Sequence, residues 1–281
     1  MIKSILSAVD GSPSSVAGMK QAVAWAKRLG AEVRVAFVED EQRFVYYPAV
    51  SSFEGGMAVP VTLPEEDLAK VTEEVRAEVS ELRKLYEAEV QAAGVTGEFL
   101  SPRGNVNDLL VAEARMADLV VMGRRGKSDP AGSTKAGPTT ETLIHDAVRP
   151  VLVVPEAGRM SGPVVFAFDG SVGINRVLIH GAVLTASLKT KAVVVTVDDN
   201  AERGAALQNM ALRYLKPHGI EADYVVRKGR PANTIAQVAE ERQAGLVVMG
   251  AFGRSPIREL FFGSTTLDVL EQVNCPVLLM A

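Results

Sequence analysis

The sequence predicts an α/β protein made of two tandem doubly wound units, each a parallel sheet with helices on both faces. Three observations carry this reading. Short apolar runs of strand length alternate with amphipathic helical stretches along the chain. The chain also repeats itself: Ile5 to Ser12 (ILSAVDGS) matches Val164 to Ser171 (VVFAFDGS), and Leu119 to Gly126 (LVVMGRRG) matches Leu246 to Gly253 (LVVMGAFG). A third pair, Arg149 to Val154 (RPVLVV) and Cys275 to Met280 (CPVLLM), closes each copy. Finally, both copies place aspartate or glycine at the ends of strands, where ligands bind in such sheets. The first pair is spaced more widely than the other two, which puts an insertion in the first half, between Asp10 and Gly123.

The elements follow in order. Ser4 to Val9 is the opening strand, and Asp10-Gly11-Ser12-Pro13 a turn. Ser12 or Ser14 can cap a helix with Val16, Met19, Val23 and Ala26 on its buried stripe, ended by Gly30. Val33 to Val38 is a second strand. Glu39 to Pro64, with Phe44, Tyr46, Tyr47 and Phe53, is expected to be irregular: a floppy insertion, a lid over a ligand, or an interface. Glu65 to Ala93 is a long amphipathic helix. Thr96 to Leu100, Leu119 to Met122 and Val151 to Val154 are strands; Asn105 to Met116 and Thr139 to Val148 are helices. Pro155 to Gly162 is a linker. The second half has strands at Val164 to Phe168, Ala192 to Val197, Asp223 to Val226, Leu246 to Met249 and Val277 to Met280. Its helices run from about Gly173, Ala201, Pro231 and Thr265. The domains are therefore set at 1–155, with the insertion at about 40–64, and 163–281.

Composition narrows the function. The chain has 281 residues, 47% hydrophobic and 23% charged, as in ordinary globular proteins. A net charge of −4 argues against nucleic-acid binding by bulk charge. No apolar run reaches the ~18 residues needed to span a bilayer. Met1-Ile2-Lys3 runs straight into a strand without a visible leader, so a cytoplasmic location is expected. The single cysteine, Cys275, reads as a small buried hydrophobe. His145, His180 and His218 lie in separate helical stretches without metal-ligand spacing. Asp169 has no partner for triad chemistry, and Asp198 and Asp199 read as a polar strand end, with Mg²⁺ binding as the sharper alternative.

The second-half stretch Leu246 to Met280 carries the chemistry. A strand runs into Gly250, Gly253 follows, and Gly263, Ser264, Thr265 and Thr266 precede a helix. Glycines let a backbone approach a ligand and adopt φ > 0. Ser264 or Thr265 can cap the helix. The helix N-terminus, with unpaired N–H groups, favours an anion such as phosphate. The same strand, loop and capped helix could equally exist without a ligand.

The spacing G-x2-G-x9-G-S-T after a strand resembles the nucleotide loop of the ATP-binding universal stress proteins, with Gly250, Gly253, Gly263 and Ser264 in place. The resemblance covers nearly the whole chain through the strand-one Asp-Gly-Ser, the Val-Val-Met-Gly before the loop and the Pro-Val-Leu of the last strand. It implies five strands per half in the order 3-2-1-4-5. It also implies packing of the two halves through their last strands as an intrachain pseudo-dimer, with homodimerisation left open. It places an adenine nucleotide, ATP with or without Mg²⁺, against Phe168, Asp169, Val197, Met249, Gly250, Gly253, Gly263, Ser264, Thr265 and Thr266.

The first half departs from that pattern. Ten residues separate Gly126 from Gly137, and Pro138 replaces the serine, removing an N–H and a hydroxyl. Asp10, Val38, Gly123, Gly126, Gly137 and Thr139 form the weaker counterpart site, with Arg124, Arg125 and Lys127 as optional cationic contacts to phosphate. The expected function is a stress-response binding and signalling module without catalytic residues. The rivals are a slow ATPase or nucleotidyl-transfer enzyme, and a nucleotide-free interaction module.

Overall fold

The computed structural model describes residues 2–46, 61–130, 135–252 and 264–281. The main strands are β1 (Ser4–Ala8), β2 (Glu32–Ala36), β3 (Gly97–Leu100), β4 (Leu119–Gly123) and β5 (Val151–Val154) in the first half. In the second they are β6 (Val164–Ala167), β7 (Ala192–Val197), β8 (Ala222–Arg227), β9 (Leu246–Gly250) and β10 (Val277–Met280). The helices are α1 (Pro13–Leu29), α2 (Glu65–Ala93), α3 (Val106–Ala114), α4 (Pro138–Asp146), α5 (Val172–Leu188), α6 (Ala201–Leu215), α7 (Pro231–Glu241) and α8 (Ser264–Gln272).

Among the described residues the ten strands form one sheet, in the order β8-β7-β6-β9-β10-β5-β4-β1-β2-β3. Each half has the 3-2-1-4-5 order, and its strands pair in parallel. The halves meet where β5 pairs antiparallel with β10, Val153 opposite Val277 and Val151 opposite Leu279. β5 is buried along its whole length, as a strand covered on both faces must be. One apolar core lies on each face of the sheet and runs across both halves.

Local chemistry explains the elements. Ser12 caps α1, its Oγ accepting from the Ser15 N–H, and Gly30 ends it in the left-handed region at φ 60°. Asn105 caps α3 and Ser171 caps α5 by the same bond. Pro138 occupies the first turn of α4, where no N–H is needed.

The insertion differs from the expected irregular loop at both ends. Glu39–Asp40 pairs with Arg103–Gly104, a 3₁₀ turn spans Glu41–Phe44, and Val45–Tyr46 pairs antiparallel with Val61–Thr62. Phe44 is buried, with the Arg103 guanidinium 3.9 Å from its ring centroid. Tyr47 and Phe53, the other aromatic residues of the expected lid, lie outside the described residues.

Candidate functional site

Because β1, β2 and β4 are parallel, their carboxyl ends share one edge, and a crevice of about 430 Å³ opens there in the first half. Ala8 ends β1 with Val9 and Asp10 after it, Phe37 and Val38 follow β2, and Met122 and Gly123 end β4. Gly126, Gly137 and Thr139 complete the loop side, so the six first-half residues singled out from sequence all line one cavity. Asn105, Val106, Asn107 and Leu110, at the start of α3, add a further wall. Sequence reasoning missed the last wall, made of Asp40, Gln42 and Arg43 from the insertion and Glu78 from α2. The signal for it was the expected lid.

The loop is held by the chain's own side chains. Asp10 accepts from the Ser12 N–H at 2.9 Å through Oδ1 and from the Lys127 N–H at 2.6 Å through Oδ2. The Gly126 N–H donates to Asp129 Oδ2 at 2.7 Å. The Arg125 N–H donates to Ser14 Oγ at 3.3 Å, and the Gly137 N–H to the Arg124 carbonyl at 3.0 Å. At the rim, the Glu78 carboxylate bridges Arg43 at 2.9 Å and Lys127 at 3.0 Å. Partial burial alone would raise the Glu78 pKa, but hydrogen bonds and charge from Arg43 and Lys127 bring it below the ordinary 4.5.

The structure gives two features of the loop another role. Arg124, an optional cationic contact in the sequence, is buried, and its Nη2 donates to the Val273 carbonyl of the other half at 2.6 Å. Arg125 ion-pairs with Glu156 at 3.7 Å, and both Arg125 and Lys127 line the crevice, Lys127 reaching Glu78 at its rim. The glycines at the strand ends also serve another purpose. Among the described residues, Gly123, Gly126, Gly137 and Gly250 do not have positive φ; Gly11 and Gly170 in the Asp-Gly-Ser turns do. A Cβ on Gly123 would lie 2.6 Å from the Ser14 carbonyl carbon, and one on Gly250 2.8 Å from the Ile174 nitrogen. These glycines let α1 and α5 pack against the strand ends.

In the second half, the ends of β6, β7 and β9 bring Phe168, Asp169, Val197, Met249 and Gly250 to one edge. Phe168 and Met249 are buried; Asp169 and Val197 are half-buried. Asp169 Oδ1 accepts from the Ser171 N–H at 2.9 Å, as Asp10 does from Ser12. Ser264 is the first residue of α8 and is exposed, with Thr265 half-buried beside it. Thr266 is buried, and its hydroxyl donates to the Ala251 carbonyl at 2.7 Å. The Thr140 hydroxyl lies 3.1 Å from the Gly123 carbonyl and 3.3 Å from that of Arg124, the counterpart of Ala251, so both threonines tie a helix start to its loop. Gly253 and Gly263 lie outside the described residues.

The remaining candidates pair with neighbours in the chain or are at least partly buried. Asp198 accepts both Nε and Nη2 of Arg203, at 2.6 and 2.8 Å. Cys275 is buried, which pushes its thiol up to about 11. His218 stacks on Tyr214 with ring centroids 4.7 Å apart, and burial lowers the His180 pKa. Among the described residues no group of His, Cys, Asp or Glu could hold a metal ion, and no helix is long and apolar enough to cross a membrane.

Comparison with known proteins agrees with this architecture. The sequence profile described as the Universal stress protein family matches residues 1–155 and 199–280. Universal stress protein Slr1230 of Synechocystis is 28% identical, over 99% of this chain and 99% of that protein. A universal stress protein of Mycolicibacterium smegmatis is 26% identical, over 98% of this chain and 96% of that protein. Among solved structures, a universal stress protein from Archaeoglobus fulgidus superposes with a TM-score of 0.75 at 20% identity, over 99% of this chain and 97% of that one, which speaks for the fold.

Proposed function

This chain belongs to the universal stress protein family, and from that premise we propose that it binds an adenine nucleotide, ATP with or without Mg²⁺, mainly in its second half. The observation that supports this most is the geometry around Gly250. The strand end sits beside Asp169 and Val197, and α8 opens at Ser264, which carries an N–H and a hydroxyl where the first half has Pro138. Such a helix start can hold phosphate oxygens by backbone N–H groups and by the helix dipole. Met249, Phe168 and Val197 offer an apolar wall for a base, and Asp169 an acceptor for ribose hydroxyls. The Thr266 hydroxyl is committed to Ala251, so its contribution would come through its N–H.

In this reading residues 1–155 and 163–281 are two domains acting as an intrachain pseudo-dimer. The protein works in the cytoplasm as a binding and signalling module. Native mass spectrometry of the purified protein tests it, looking for a co-purified adenine nucleotide. Titration calorimetry then compares the wild type with Gly263→Asp. A single tight nucleotide per chain that is lost in the variant is expected. Absence of binding, or binding untouched by Gly263→Asp, would overturn the proposal.

A further inference from the structure

The first-half crevice has the strand-end floor of a nucleoside site but has spent its phosphate donors on its own side chains. Three consecutive loop N–H groups are taken: Arg125 by Ser14 Oγ, Gly126 by Asp129 Oδ2 and Lys127 by Asp10 Oδ2. The Gly137 N–H is taken by the Arg124 carbonyl, and Pro138 at the first position of α4 has no N–H at all. The Asp129 carboxylate also lies against the face of Gly137 from which a side chain would project. It therefore fills the gap between the two loop glycines with negative charge. A phosphate entering there would have to displace a short charge-assisted bond and would meet a like charge.

Resting on the reading of this edge as a nucleoside site, we propose that the first-half crevice takes an uncharged nucleoside-sized ligand. Asp129 is the residue that excludes nucleotides from it. The rest of the cavity suits such a ligand. It is about 430 Å³, within the ~300–1,000 Å³ usual for small-molecule sites. Its inner wall of Ala8, Ala36, Val38, Leu110 and Met122 is apolar, and Asn105 and Asn107 of the α3 wall supply amide groups at its border. The two halves then divide the labour, one reading a nucleoside without its phosphates and the other a nucleotide.

Photo-crosslinking of the full chain tests this. The probes are 8-azidoadenosine and 8-azido-ATP, followed by proteolysis and quantitative peptide mass spectrometry. In the wild type, the nucleoside probe should label first-half peptides about tenfold or more above the triphosphate probe. Asp129→Ala should raise first-half labelling by the triphosphate about tenfold, with thermal unfolding confirming that the variant is folded. Asp129→Asn keeps the shape without the charge and should give a smaller rise; it carries the test if the alanine variant does not fold. Equal first-half labelling by both probes in the wild type would overturn the proposal, as would no labelling by either probe or no rise in any folded Asp129 variant. Labelling of second-half peptides by the triphosphate is scored separately. Its loss with first-half discrimination intact would sink the nucleotide reading of the second half alone.

Discussion

Arg124 of the first-half loop donates a 2.6 Å hydrogen bond to the carbonyl of Val273, which follows the last helix of the second half. A cation at a helix C-terminus is favoured by the helix dipole, and burial makes the bond worth more than a surface contact. A second contact crosses the seam nearby: Phe252 of the second-half loop meets His145 of α4 edge-on, with centroids 5.8 Å apart. Each loop thus touches the short helix that follows the other loop.

Arg124→Ala should therefore destabilise the protein without touching the crevice. The loss is expected at about 1.5–3 kcal/mol, the usual worth of a hydrogen bond to a charged group. Urea unfolding measures it, and a loss under about 0.5 kcal/mol, the surface range, would refute the anchor.

Gly123→Ala and Gly250→Ala should each cost stability with no ligand present, because the added Cβ meets α1 or α5 backbone below 3 Å. Overpacking of this kind costs about 1–3 kcal/mol. Gly30→Ala has open space but a left-handed backbone at φ 60°, and should cost about 1–2 kcal/mol through backbone strain alone. Equal unfolding midpoints for Gly250→Ala and the wild type would show that the helix can yield.

Glu78→Gln should weaken the Arg43–Lys127 latch by less than about 1 kcal/mol at pH 7, since the pair is partly exposed. The sign with pH follows from the lowered folded pKa of Glu78. The difference from the wild type is fully present above the unfolded value of 4.5 and fades as pH falls through the lower folded value. Paired melts from pH 7 to pH 3 give the curve; a difference that grows on acidification would contradict it.

Cys275 should resist iodoacetamide in the native protein at pH 8, because burial holds the thiol at about 11 and shields it. Modification should appear only in denaturant, read by intact mass. Rapid native labelling would mean that the α8–β10 turn opens.

The sheet was legible because its signals are local and periodic. Val120, Val121, Val247 and Val248 form unbroken apolar runs, as strands covered on both faces require, and the caps at Ser12 and Asn105 announce themselves by residue type. The convergence of Asp10, Val38 and Gly123 follows from strand direction alone. What escaped were single contacts that cross long stretches of chain. Arg124 in a glycine loop reads as a phosphate ligand until Val273 appears beside it. Asp129 looks like any loop aspartate, although a carboxylate three residues beyond Gly126 was the available hint that the loop caps itself. The pairing of Glu39–Asp40 with Arg103–Gly104 is two residues long, below what periodicity can register.

The antiparallel seam between β5 and β10 has a last consequence. It uses up the inner rim of both half-sheets, so among the described residues the open edges of the array are Gly97–Leu100 and Ala222–Arg227. Reversed strand direction across the join turns the carboxyl ends of the two half-sheets to opposite margins. Fusion in a single polypeptide fixes their ratio at one to one.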